Sequence, residues 1–179
     1  MSDAPPEDAP PGDAPPGDAP PGEAWLQDAP PQDAVPETAE LTYTRVFDAP
    51  RELVFRCMTE PGPLAHFWGP AGTHTPAGGI TADVRPGGVF ETVMVSDADG
   101  SQYTMHAVYV EVAPPERLVW TEPGTGVTTT STFTDLGGSR TEVRIHQRNV
   151  PSAFLRPRAQ EGFRSSLDRF AGYLAALAP

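Results

Sequence analysis

The chain has 179 residues, 38% of them hydrophobic, and a formal charge of -12, enough for one domain with a sizeable core and too little for a second full one. The acidity is local: residues 1 to 40 hold ten acidic side chains and no basic one, which leaves 14 acids against 12 arginines in the rest. Those arginines are scattered, so the sequence presents no run suited to a nucleic-acid backbone, and the single cysteine, Cys57, excludes an internal disulfide.

The first 40 residues repeat Asp-Ala-Pro-Pro at a period of five, from Asp3 through Asp8, Asp13 and Asp18, with further copies at Glu23, Asp28 and Asp33. A unit that short builds no solenoid. Paired prolines, few apolar side chains and charge of one sign predict an extended, disordered tail of polyproline II character ahead of one domain spanning 41–179. Trp25-Leu26 reads as drift within that tail, or as a small docking element for a partner or for the domain itself. No charged-then-apolar leader follows Met1, and no apolar run nears the roughly 20 residues that span a bilayer. The expectation is a cytoplasmic protein with neither membrane nor nucleic acid as partner, and with a protein partner reached, if at all, through the tail or outer surface.

Leu41 to Phe47 (LTYTRVF) reads as a strand, stopped by Asp48-Ala49-Pro50. Leu53, Val54, Cys57 and Met58 then fall on one side of a helix of about two turns. Glu60-Pro61-Gly62-Pro63 reads as its end, with at most one further turn from Leu64 to Trp68. From Thr73 the pattern changes to period two, in Ile80–Val84, Val89–Val95, Gln102–Val112, Arg117–Glu122, Val127–Thr134 and Thr141–Asn149, with turns between. Pairing Ser96 with Ser101 sets Met94 against Tyr103, Thr92 against Met105 and Phe90 against Ala107, with Glu91 and His106 on the other face. Pairing Val112 with Arg117 sets Tyr109 against Trp120. Phe133 and Val143 share a face only if five residues, or a glycine bulge near Gly137-Gly138, connect their strands.

The last segment, Arg158 to Leu177, spaces Phe163, Leu167, Phe170, Leu174 and Leu177 as one face of a helix. Arg158, Glu161, Arg164, Asp168 and Arg169 fall on the opposite, wet face. The fold class expected is α+β: a curved antiparallel sheet of about seven strands around a long C-terminal helix, with two short helices after the first strand. Sheet and helix diverge at one end, which predicts an apolar pocket. Phe90, Met94, Tyr103, Tyr109, Trp120 and Phe133 would line it from the sheet, Phe163 and Leu167 from the helix, and Phe67 and Trp68 at the mouth.

The four histidines lie on separate elements without metal-ligand spacing, so no metal, cofactor or catalytic residue set is assigned. His106 beside Glu91 and His146 are expected on the outer face. His66, next to Phe67-Trp68, is the better functional candidate. Cys57 reads as a small buried hydrophobe, and Thr129 and Ser131 as inward hydroxyls within reach of a ligand.

Five strings, Arg45-Val-Phe-Asp-Ala-Pro-Arg-Glu-Leu-Val-Phe55, Phe67-Trp-Gly-Pro70, Arg85-Pro-Gly-Gly88, Tyr109-Val-Glu-Val-Ala-Pro-Pro-Glu-Arg-Leu-Val-Trp120 and Glu161-Gly-Phe-Arg-Ser-Ser-Leu167, occur in this order. Together they resemble the activator of Hsp-90 ATPase homologue-like branch of the START/Bet v 1-like (SRPBCC) superfamily, over residues 41–177. The resemblance implies the helix-grip fold and a hydrophobic ligand cavity under the last helix, with no one activity. Relatives of that superfamily include lipid or small-molecule binders, polyketide aromatase/cyclases, antibiotic self-resistance proteins and chaperone cofactors. The reading is a protein that binds or sequesters a hydrophobic small molecule: a lipid, polyketide or aromatic compound. The alternatives are an aromatase/cyclase-like enzyme using His66, Tyr103 and Tyr109, and a chaperone ATPase cofactor acting through its outer surface.

Overall fold

The computed structural model describes residues 38–177; the expectations for the acidic repeat and for Trp25-Leu26 lie outside the described residues. Strand β1 (Thr38–Phe47) starts three residues before the predicted boundary and alternates buried Tyr43 and Phe47 with exposed Thr42, Thr44 and Val46. Pro50 caps helix α1 (Arg51–Cys57), its carbonyl accepting from the Leu53 and Val54 amides. The helix buries Val54, Phe55 and Cys57. The first helix ends at Cys57, ahead of Glu60-Pro61-Gly62-Pro63, and the second, α2 (Pro61–Leu64), starts within that string and not after it at Leu64. The physical reason is that a proline at the first helical position lacks only an N–H that has no partner there.

Eight strands follow one sheet rather than about seven. They are β1, β2 (Thr73–His74), β3 (Ile80–Ala82), β4 (Val89–Ser96), β5 (Gln102–Ala113), β6 (Arg117–Thr121), β7 (Thr128–Gly137) and β8 (Arg140–Pro151). The order is β1-β8-β7-β6-β5-β4-β2, with β3 also on β4 and every pair antiparallel. The extra strand, β2, is a two-residue pairing of Thr73 and His74 with Ser96 and Val95, too short to leave an alternation in the sequence.

The β4/β5 register is the predicted one, with Phe90 opposite Ala107, Thr92 opposite Met105 and Met94 opposite Tyr103. Tyr109 does face Trp120, but Val112 pairs with Leu118 and not with Arg117, because the ladder slips by one residue between Tyr109 and Glu111. Val110 is the extra residue of this bulge and points out, 57% exposed. The Arg85-Pro-Gly-Gly88 turn docks there: the Gly87 amide donates to Tyr109 O (2.8 Å) and the Tyr109 amide to Gly88 O (2.9 Å). A Cβ on Gly88 would lie 1.8 Å from Asp83 O, so the close approach requires glycine. In the last hairpin Phe133 faces Val143 and Asp135 faces Thr141, with five residues between the latter two. Leu136 is bulged out, Gly137 has φ 76°, and Gly138-Ser139 make the turn with both φ positive, the two-residue type that follows strand twist.

Helix α3 (Pro157–Leu177) lies along the sheet's inner face, where Phe170 stacks on Phe67 (4.0 Å) and packs on Phe47 (4.7 Å). Two expectations for this helix are corrected. Leu177 is 44% exposed, since the final turn carries it past the core. Arg169 is not on a wet face but folds back onto the loop before β2, as described below.

Candidate functional site

Period-two alternation sets the inner face of the sheet. Rows cross it: Tyr43, Ile145, Ser131 and Leu118 in one; Leu41, Gln147, Thr129, Trp120 and Tyr109 in the next. Beyond them stand Ala107 and Phe90, then Met105 and Thr92, then Tyr103 and Met94. Of the ten predicted lining residues, Phe67, Phe90, Tyr109, Trp120 and Phe133 are buried at 6% exposure or less, while Trp68, Met94, Tyr103, Phe163 and Leu167 are half-buried. Phe90 gathers three of the rings, with Trp68 at 5.1 Å, Tyr109 at 5.4 Å and Trp120 at 5.6 Å. Phe133 stands apart, edge-on to Phe55 of α1 at 5.2 Å.

The half-buried set follows the helix. Phe170 and Leu174 are 0% and 3% exposed, whereas Leu167 and Phe163, about one and two turns upstream of Phe170 on the same stripe, remain half-buried. Phe163 leans on the first strand, stacking on Tyr43 at 4.2 Å. The sheet therefore grips the C-terminal half of α3 closely and its N-terminal half loosely.

Polar groups stand on the inner face. Glu122 continues the inward alternation of Leu118 and Trp120, since its amide donates to Val127 O (2.9 Å) and extends the β6/β7 pairing by a step. Burial pushes its carboxyl above the usual range, opposed by a long hydrogen bond from the Thr125 hydroxyl (3.4 Å). Across the face, burial raises the Tyr103 phenol, and the Glu122 charge raises it further, so a carboxyl and a phenol share one partly desolvated region. Deeper in, the Thr92 and Ser131 hydroxyls and the Tyr109 phenol are buried with no hydrogen-bond partner among the described residues. Burial alone raises Tyr109 strongly. Thr129 Oγ1 accepts from Gln147 Nε2 at 3.2 Å.

One wall of this region is the Phe67–Thr73 loop, and α3 holds it. The Arg169 guanidinium donates to the carbonyls of Gly69 (3.1 Å), Pro70 (3.4 Å), Thr73 (3.1 Å) and His66 (3.3 Å). Ser166 Oγ donates to Gly69 O (2.6 Å), and the Ala71 amide donates to Ser165 Oγ (2.9 Å). Gly69 has φ +98°, and a Cβ there would meet Thr73 Oγ1 at 2.7 Å and Met94 Sδ at 3.1 Å. Gly162 admits Pro70, whose Cβ would be 3.1 Å from a side chain at that helix position.

His66 is exposed and stacks on Tyr173 at 4.5 Å, beside the tightly gripped half of the helix. His106 and His146 are on the outer face, His106 Nδ1 within 3.2 Å of Glu91 and His146 Nε2 within 3.1 Å of Glu40. Two shallow concavities lie on that side too. One, of about 270 Å³, is lined by Arg117, Thr130, Thr132, Arg144, His146 and Arg148; the other adjoins it at Ala39, Glu40, Arg148 and Asn149. Sequence reasoning set Thr92 on the inner face without assigning it to the site, and missed Glu122 and Arg169. Glu122 ends the predicted strand Arg117–Glu122 beside a Pro-Gly loop, and its charge kept it out of the predicted site; its signal was the inward alternation running on from Trp120.

The model of the family described as activator of Hsp90 ATPase homolog 1-like protein matches residues 48–175. Solved structures share the architecture. Protein CV1439 of Chromobacterium violaceum is 26% identical over 76% of this chain and 97% of its own, with a TM-score of 0.70. The AHSA1 protein of Silicibacter pomeroyi is 24% identical over 78% of this chain and 100% of its own (TM-score 0.66). The AHSA1-like protein of Aeromonas hydrophila is 20% identical over 78% and 94% (TM-score 0.68). No curated protein matches the chain.

Proposed function

Given that the chain belongs to the activator of Hsp90 ATPase homolog 1-like family, we propose that it binds an apolar, ring-bearing small molecule carrying at least one oxygen function, between the N-terminal half of α3 and the sheet. The observation that carries this is the uneven grip. Phe163 and Leu167 stay half-buried, as do Trp68, Met94 and Tyr103 on the loop and sheet, while Phe170 and Leu174 on the same stripe are 0% and 3% exposed. Apolar surface left in water is surface that a ligand can cover, worth about 25 cal/mol per Å². The oxygen function follows from Glu122, Tyr103 and the orphaned hydroxyls of Thr92 and Ser131, since a buried donor without a partner costs roughly 1–3 kcal/mol that a ligand oxygen would recover.

The test uses Trp68 and Trp120 as reporters in a chain with Trp25→Phe. Aromatic, polyketide and lipid ligands that carry a carbonyl or hydroxyl should quench them. E122Q and Y103F should weaken those ligands by about tenfold each, one hydrogen bond's worth, and leave a wholly apolar dye unaffected. Uniform failure of the three ligand classes would sink the proposal.

A second reading is favoured by one feature. A carboxyl raised above its usual range beside a phenol can move a proton within a sheltered site, which suits an aromatase/cyclase-like reaction on a bound poly-β-keto chain. Turnover of such a substrate, lost in E122Q with binding retained, would separate it from simple sequestration. No helix among the described residues is long and apolar enough to cross a membrane.

A further inference from the structure

We propose that the outer face of β6, β7 and β8 is the docking surface for the chain's own acidic segment, residues 1–37. Arginines far apart in the sequence meet on this face. The register sets Arg117 beside Thr132 beside Arg144, Thr130 beside His146, and Thr128 beside Arg148. All of these but Thr128 form the wall of the 270 Å³ groove. Arg117 gives its Nε to Glu111 (3.0 Å), but neither Arg144 nor Arg148 has a carboxylate partner among the described residues, and both are exposed.

Two features bring the acidic segment to this place. The chain joins the sheet beside the groove: β8 bulges at Arg148-Asn149 opposite Glu40, with Asn149 at φ 58°, and the bulge opens the adjoining crevice. The last carboxylate of the acidic run is already seated, since Glu40 Oε2 lies 3.1 Å from His146 Nε2. Upstream stand nine further acids, with no basic residue among positions 1–37, and from Asp8 to Asp33 they recur every five residues.

Spacing favours this segment over other anions. A proline-rich extended chain rises about 3.1 Å per residue, so carboxylates five apart are about 15 Å from one another. Arg144 and Arg148, four apart on a strand, are separated by about 13–14 Å. Glu111 and Glu142 share the outer face with them, which suits a partner of widely spaced charges and disfavours a densely charged polyanion. Each ion pair is weak at an exposed site. Tethering compensates, because a short linker holds the segment at millimolar effective concentration.

A nitroxide placed at Q27C of the full chain tests the proposal by paramagnetic broadening of amide signals; Cys57, 1% exposed, stays unlabelled. At low ionic strength the Thr130, Thr132 and Arg144 amides should lose intensity. The loss should vanish in roughly 1 M salt, where the screening length falls to about 3 Å, and in both R144Q/R148Q and D28N/D33N/E37Q. Outer-face signals that stay sharp at low salt, broadening that survives either set of substitutions, or broadening centred on Trp68 and Phe163 would each overturn it.

Discussion

The two halves of α3 carry the same kind of side chain at the same helical spacing and meet the sheet differently. Around Phe170 and Leu174 the rings of Phe47 and Phe67 close in until no surface is left. Around Phe163 and Leu167 the contacts are a stacked Tyr43 and a rim of half-buried residues. An amphipathic stripe therefore states which side of a helix faces in. How far in each turn sits depends on the strands beneath it.

Phe170→Ala should cost about 3–5 kcal/mol, the range for emptying a tight aromatic site, and Phe163→Ala about half that or less, both read from denaturant midpoints. Equal losses would mean that the two halves are gripped alike. Next is the clamp. Arg169→Met leaves four carbonyls to find water and should cost about 1–3 kcal/mol. Arg169→Lys should recover little, because an ammonium cannot span the carbonyls that the planar fork reaches.

A pH scan sharpens the picture of the open end. Glu122 holds its proton more tightly folded than unfolded, so the native state binds more protons between the two pKa values. Stability is then greatest below the unfolded value near 4.5 and declines as pH rises through the raised folded value. E122Q should flatten that decline in melting temperature; an unchanged profile would place the side chain in water. The smallest effect expected is at the Arg45–Asp168 ion pair, which links β1 to the middle of the helix with both side chains partly exposed. A double-mutant cycle should return about 0.2–1 kcal/mol.

Much of this molecule was legible because periodicity is a local property. Hairpin turns at Asp97–Gly100 and Gly137-Gly138 fixed which of Phe90, Met94, Tyr103 and Phe133 faced inward. The slip at Val110 was not legible, because its cause is a turn more than 20 residues upstream, Arg85–Gly88, that seats against Tyr109. Arg169 was misread for the same kind of reason. A guanidinium beside an apolar stripe is ordinarily solvated, and its acceptors lie about 100 positions earlier in a loop with no regular pattern. Phe90, Tyr103, Tyr109 and Trp120 were placed on one face of the sheet through alternation, as their registers have it. Glu122 was placed at the end of the strand Arg117–Glu122 but not in the site, because charge is the usual mark of surface, and its inward direction follows from a ladder bond that carries the pairing one step past the apolar run.

The Arg169 clamp has a mechanical consequence. The segment bearing Trp68 and the rod bearing Leu167 are fastened at four carbonyls, so neither jaw opens independently. A guest that levers the rod outward must drag the aromatic segment along or strip that guanidinium of its acceptors. Admission would then be a single hinged movement, and weakening the fastener should speed loading and leakage together.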